Sequence, residues 1–151
     1  MKINVYSIEK SKSEGVELLV KEYQKMIKKF AKIDDIVVFN KAIASAQTKG
    51  ETEAKRAYSK VYEPFLKGYN ISLDVCGEEL DSFEFSKLLE DSSQVNFFIG
   101  GAYGFEESFL KKTHKIISLS RLTYAHKIAK AVLFEQIYRG LCIKQNHPYH
   151  K

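Results

Sequence analysis

Four short strings in this chain hold residue types that can do chemistry. Pro148-Tyr-His-Lys151 sets a stiff aromatic pair beside an imidazole and an ammonium. Imidazole is the side chain that changes charge near neutral pH. Glu135-Gln-Ile-Tyr-Arg139 ends on a planar, forked donor suited to phosphate or to a base carbonyl. The plainer role of Arg139 is a cation complementing a helix C-terminus. Gly100-Gly-Ala-Tyr-Gly104 follows an apolar run and lets backbone turn tightly or approach a ligand closely. It lacks the Gly-Lys-Ser/Thr ending of a phosphate loop and does not match the dinucleotide fingerprint. Ser118-Leu-Ser-Arg-Leu-Thr123 combines hydroxyls with one cation.

Three of these strings lie in a basic block. Residues 111–151 carry nine Lys/Arg and one acid, Glu135, a charge of +8. The first 110 residues sum to −3, and the whole chain to +5. A block this lopsided suggests a partner rich in phosphate. The Lys/Glu-rich helices of the first ninety residues read as solvated faces.

Composition excludes several classes. The chain has 151 residues, enough to bury roughly two-thirds of its unfolded surface as one domain over 1–151. No apolar run nears the ~20 residues of a membrane span, and no signal peptide precedes the first strand. A cytoplasmic protein with no membrane contact is expected. Cys76 and Cys142 stand apart and read as free thiols. His147 and His150 have no third ligand nearby, so no metal is expected. Gly-x-Ser-x-Gly, His-Glu-x-x-His and Cys-x-x-Cys strings are absent, which lowers hydrolase and metalloenzyme readings.

Strand and helix patterns alternate. Strands are predicted at Ile3–Ile8, Ile36–Phe39, Ile71–Val75, Val95–Ile99 and Ile116–Leu119. The run 36–39 is continuous and β-branched, as in a strand buried on both sides. Helices are predicted over Gly15–Phe30, about Glu53–Leu66 and about Glu106–Lys112. A fourth runs from a capping box at Asp81/Glu84 to about Glu90, and a long last one from a Thr123 cap to Arg139-Gly140. Residues 40–52 read as a loop, and Gly68 as a helix stop. The pattern implies an α/β fold, a mainly parallel sheet with helices on both faces. Ligands bind such sheets beyond the carboxyl ends of the strands. That edge would gather the loops 73–77, 99–104 and 119–124. In the last helix Ala125, Ile128, Ala129, Val132, Leu133 and Ile137 form one apolar face. Ala131, Phe134 and Tyr138 form a second, for which a partner subunit is the simplest cover.

Together, Phe98-Ile-Gly-Gly-Ala-Tyr-Gly104, Ser118-Leu-Ser-Arg-Leu-Thr123 with His126, Leu133-Phe-Glu-Gln-Ile-Tyr-Arg139 and Pro148-Tyr-His-Lys151 resemble the ribosomal large subunit methyltransferase H family. This family belongs to the SPOUT class, whose C-terminal segment forms a trefoil knot. The resemblance spans the whole chain. It implies a homodimer using S-adenosyl-L-methionine to methylate N3 of a pseudouridine, position 1915 in helix 69 of 23S rRNA, on assembled ribosomes. It assigns the cofactor to Leu73, Gly100 and the loop Leu119, Ser120, Arg121, Leu122, Thr123 and Tyr124. Transfer to a protonated imide nitrogen calls for a base or for donors that stabilise the anion, and the C-terminal motif offers His150 as base or orienter, Arg139 as electrostatic stabiliser and Tyr149 as stacking partner of the target base. Rival readings are a non-enzymatic RNA- or ribosome-binding protein and a SPOUT methyltransferase acting on tRNA. Two positions depart from the family pattern. Residues 40–49 lack its basic stretch, and Ala125 stands where proline is common.

Overall fold

The computed structural model describes residues 1–90 and 92–151. Among these, five strands form one sheet: β1 (Lys2–Ser7), β2 (Lys32–Val37), β3 (Tyr69–Glu79), β4 (Gln94–Ile99) and β5 (Lys115–Ser118). Their order is β2-β1-β4-β3-β5, and every pairing is parallel. The helices are α1 (Glu14–Ile27), α2 (Lys41–Lys49), α3 (Glu51–Tyr62), α4 (Ser82–Lys87), α5 (Glu107–Leu110) and α6 (His126–Lys144). The predicted α/β class is observed.

The period-two alternation of a strand splits β4 between two cores. Val95, Phe97 and Ile99 join the core under α1, α4 and α6. Phe98 joins Tyr58, Tyr62, Phe105 and Phe109 under α3 and α5 on the other face. Three buried amides fix the central register. Asn4 donates to Asn96 at 2.8 Å, and Asn96 donates to Asn70 at 2.9 Å. These residues face one another across β1, β4 and β3. A one-residue slip would strand buried amides without partners.

Several sequence expectations are corrected. β2 spans 32–37 rather than 36–39, because Lys32 to Val37 pair with Lys2 to Ser7. It is an edge strand, and Asp34 and Val37 are exposed on it. Residues 41–49, read as a loop, form α2, with Asn40 capping it through a bond from the Ile43 amide at 2.8 Å. Only Ile43 of this helix is buried, so its apolar pattern was too thin to see. The capping box at Asp81/Glu84 is present. Gly68 lies beyond a 3-10 turn over Glu63–Phe65 and has φ +81°.

The last helix differs most. Its N-cap is Ala125, not Thr123, and no side chain caps it. The Ala125 φ of −56° is one proline adopts readily, so the departure from the family pattern costs no change of backbone. The helix continues through Gly140 to Lys144. Gly140 serves close packing, since a Cβ there would lie 3.1 Å from Leu89 and 3.3 Å from Ser86 Cα. The turn after it ends at Asn146, whose φ is +52°. Phe134 is fully buried within this one chain. α1 and α4 flank α6 on the sheet, so the second apolar face is covered internally. The expectation that a partner subunit covers Phe134 is overturned.

α6 runs antiparallel to the strands. Near its start Lys130 bonds Ser7 Oγ at 3.2 Å, at the carboxyl end of β1. At its end Lys144 donates to the Leu89 carbonyl, ahead of β4. The helix therefore crosses the sheet from its carboxyl edge to its amino edge.

Candidate active site

The three loops singled out in the sequence come from adjacent strands, in the order β4-β3-β5. Leu73 pairs with both Ile99 and Ile117, so the loops leave the sheet at one level. After Leu73 the chain bulges over residues 74–77, and Glu78 again faces Ile117. Gly77 packs directly on β5, where a Cβ would meet the Ile117 backbone at 2.4 Å. Asp74 accepts from the Cys76 amide at 3.0 Å, closing a tight turn. Its other carboxylate oxygen points to the neighbouring loop, 4.0 Å from where a Gly104 Cβ would stand.

Residues 100–104 fold back on themselves. The Gly104 amide donates to Gly101 O at 3.0 Å, and Gly104 has φ +78°, a conformation glycine adopts at little cost. Gly101 sits against the Tyr58 ring, where a Cβ would come within 2.5 Å. Gly100 faces its own loop: a Cβ would meet Gly104 Cα at 3.0 Å and the Phe105 ring at 3.3 Å. The third loop is closed by serines. Ser118 Oγ donates to Ser120 O at 2.8 Å, and the Leu122 amide donates to Ser120 Oγ at 2.9 Å. Arg121, Leu122 and Thr123 project into solvent.

Leu73, Gly100 and the segment Leu119 to Tyr124 therefore share one edge. The charged residues in these loops are Asp74 and Arg121. Such a site offers backbone donors and acceptors beside apolar Leu73, Leu119 and Leu122. It is too poor in cations to cradle a polyphosphate. It fits a ligand that carries no phosphate, such as S-adenosylmethionine, and Leu73, Gly100 and 119–124 are the residues that would hold it.

The second group of candidates lies elsewhere. Arg139 is thirteen residues after His126, about 20 Å along the helix, near the amino edge. Within this chain the structure does not bring it to the loops at the carboxyl edge. It does gather Arg139, Tyr149 and His150 with one another. The Arg139 guanidinium lies 4.8 Å from the centre of the Tyr149 ring. Its Nη1 is 3.3 Å from His150 Nδ1. The Tyr149 ring meets Tyr138 edge-on at 4.7 Å, and His150 meets exposed Phe83 edge-on at 4.8 Å.

At the hub is Glu135, which sequence reasoning had not assigned. Its Oε1 accepts from Arg139 Nε at 3.0 Å and from the Tyr149 hydroxyl at 3.0 Å. The signal was present: an acid four residues before an arginine on a helix makes a favourable pair. Glu135 holds the arginine more firmly protonated than usual. Burial, with bonds involving Tyr23 and Glu135, pushes the Tyr149 phenol well above its ordinary range. Tyr149 thus stays a neutral donor. Arginine has only donors, so its contact engages the His150 Nδ1 lone pair and leaves the proton on Nε2. In this arrangement His150 presents an N–H, which suits it to orient or stabilise an oxygen rather than to abstract a proton.

The cofactor loops allow a direct test. Gly100→Arg is expected to displace the 100–104 turn, because the added Cβ collides with the backbone of Gly104. Calorimetry should show S-adenosylmethionine binding abolished, with the fold retained by circular dichroism. Wild-type affinity would remove Gly100 from the site.

Comparisons with known proteins identify the family. The family model described as "Predicted SPOUT methyltransferase" matches residues 1–150. The ribosomal RNA large subunit methyltransferase H of Aliarcobacter butzleri is 56% identical over 151 residues, covering all of both chains. That of Campylobacter concisus is 55% identical over the same span, again covering all of both. A putative RNA methyltransferase from Bacillus anthracis superimposes with a TM-score of 0.53 at 13% identity, over 99% of this chain and 98% of that one. At that identity it speaks for the fold alone. With relatives at 55–56% identity over its full length, the chain belongs to the ribosomal RNA large subunit methyltransferase H family of SPOUT methyltransferases.

Proposed function

We propose that this protein, as one domain over 1–151, is an S-adenosylmethionine-dependent methyltransferase acting on N3 of the helix 69 pseudouridine of 23S rRNA. It works on assembled ribosomes in the cytoplasm. The observation that carries the reading is the coexistence, in a chain that matches this family end to end, of three backbone-rich loops and an intact Arg139/Tyr149/His150 cluster. The roughly 20 Å between them along α6 supports a homodimer in which the tail of one subunit completes the cofactor edge of the other. The family's C-terminal knot is expected to involve the loop 119–125 and α6.

When bound, the cofactor supplies a methyl group on a sulfonium, which leaves as a neutral thioether. The chain's task is to position the acceptor and make its nitrogen nucleophilic. N3 of pseudouridine carries a proton at neutral pH, and losing it to solvent water puts negative charge on the two flanking ring oxygens. Donors aimed at those oxygens favour the anion. His150 Nε2–H and the Arg139 guanidinium are such donors. Tyr149, kept neutral, offers a ring face for stacking. Glu135 fixes the geometry of both Arg139 and Tyr149.

The test offers labelled cofactor to ribosomes lacking the modification, with bulk tRNA as competitor. The methyl group is expected in 23S rRNA, and mass spectrometry of nuclease fragments should place it on the helix 69 pseudouridine. Transfer to tRNA alone, or to nothing while RNA still binds, would overturn the reading.

A further inference from the structure

The amino edge of the sheet carries a feature that cofactor binding does not use. Lys28 and Lys29 close α1, Lys32 opens β2, and Lys2 opens β1 opposite Lys32. All four ammonium groups are exposed, around a concavity of about 850 Å³ also lined by Met1, Phe30 and Asp34. Among the described residues Asp34 is the one acid in the lining, and it pairs with Lys2 at 3.4 Å. Four cations facing one acid repel one another unless an anion joins them.

We propose that Lys2, Lys28, Lys29 and Lys32 form a cradle for the phosphate backbone of RNA beside the tail cluster. The inference rests on the rRNA methyltransferase reading and adds the surface that grips the substrate. Three observations favour RNA. The concavity is open, and lysines act as mobile point charges, which suits a polymer backbone more than one small anion. Phe30 is turned inward, its ring 6.1 Å from those of Tyr138 and His147, so the aromatic that could insert into a lipid surface is already engaged. The same contacts lead from the cradle through Tyr138 to Tyr149. A backbone held here therefore lies beside the residues proposed to receive the target base. The cofactor loops, with Arg121 as their one cation, could not do this.

The experiment compares wild type with Lys28→Gln/Lys29→Gln/Lys32→Gln, which keeps most of each side-chain stem and places no new charge. The probe is a fluorescent stem-loop RNA, titrated over a range of potassium chloride concentrations. Each lost phosphate contact lowers the slope of log affinity against log salt by about 0.7–0.9. The variant should lose about 2–3 in slope and at least about tenfold in affinity at physiological salt. The loss should be equal for target and scrambled stem-loops, because phosphate contacts carry no sequence. Melting temperature and S-adenosylmethionine affinity should not change. An unchanged slope for naked RNA overturns the proposal. So does a loss seen only with intact ribosomes, which would mean that an acidic protein docks here. Failure of wild type to methylate ribosomes would count against the parent reading instead, and it leaves the slope comparison intact.

Discussion

A chain lacking residues 149–151 is expected to bind S-adenosylmethionine as tightly as the full-length protein and to transfer methyl to ribosomes about 10²–10⁴-fold more slowly. Cofactor binding survives because no residue of the tail lies in the three loops at the carboxyl edge. Transfer fails because deletion removes the Tyr149 ring and the His150 N–H and leaves Arg139 paired with Glu135 alone. Stability should fall only modestly, since the lost contacts are partly exposed: the Tyr149 bond to Glu135, the contacts of Arg139 with the Tyr149 ring and with His150, and the packing of both rings on Tyr138 and Phe83. His150→Ala should reproduce much of the rate defect. Single-turnover transfer alongside calorimetry separates the two effects. Cofactor affinity falling in parallel with the rate would mean that the tail helps to hold the cofactor and does not act on the target base alone.

Lys130→Met is expected to destabilise the protein by about 3–5 kcal/mol at neutral pH. The Lys130 side chain is 5% exposed and lies 2.7 Å from Asp35 Oδ1 and 3.4 Å from Glu9 Oε1. Ser7 Oγ completes its surroundings. Removing the ammonium leaves two carboxylates facing each other with little solvent. Burial already raises the Asp35 carboxyl above its usual range, opposed by Lys130 and reinforced by Glu9 and Glu17. In the variant that opposition is gone. A carboxyl whose folded pKa is raised takes up its proton more readily when folded. Its stabilising share is therefore complete below the unfolded value near 3.8 and is lost as pH rises through the folded value. The deficit of the variant should shrink from pH 8 towards pH 5. Urea unfolding at the two pH values measures it. A deficit below about 1 kcal/mol and independent of pH would put Lys130 outside the ion cluster. Because α6 begins directly after the loop 119–125, weaker cofactor binding should accompany the loss.

What the sequence revealed followed physical signal strength. β1, β4 and β5 were legible because apolar runs between polar segments have few other readings. β2 misled because the apolar run 36–39 is stronger than Lys32-Ile-Asp-Asp35. Yet those acids belong in the strand: Asp34 pairs with Lys2 on an exposed edge, and Asp35 meets buried Lys130. α2 went unseen because one buried isoleucine makes no periodicity. Gly140 looked like a stop, but its missing side chain admits Leu89 and Ser86. The three loops proposed to hold the cofactor stood out by their glycines and serines after strands. Their meeting at one edge required only a parallel sheet with β3 between β4 and β5. The distance between loops and tail was not legible, since it depends on the direction in which α6 crosses the sheet. The gathering of Lys2, Lys28, Lys29 and Lys32 at the amino edge was not legible, because it depends on the pairing of β1 with β2.

One mixed dimer tests most directly whether the site is assembled from two edges of the fold. Gly100→Arg chains, with disabled loops and an intact tail, are combined with chains lacking residues 149–151, which have intact loops and no tail. Heterodimers are isolated through two different affinity tags and assayed on ribosomes. If each site takes loops from one subunit and tail from the other, one site of the two is whole, and the heterodimer should show about half the wild-type rate. A heterodimer no more active than either parent would contradict the shared site and require each chain to complete its own.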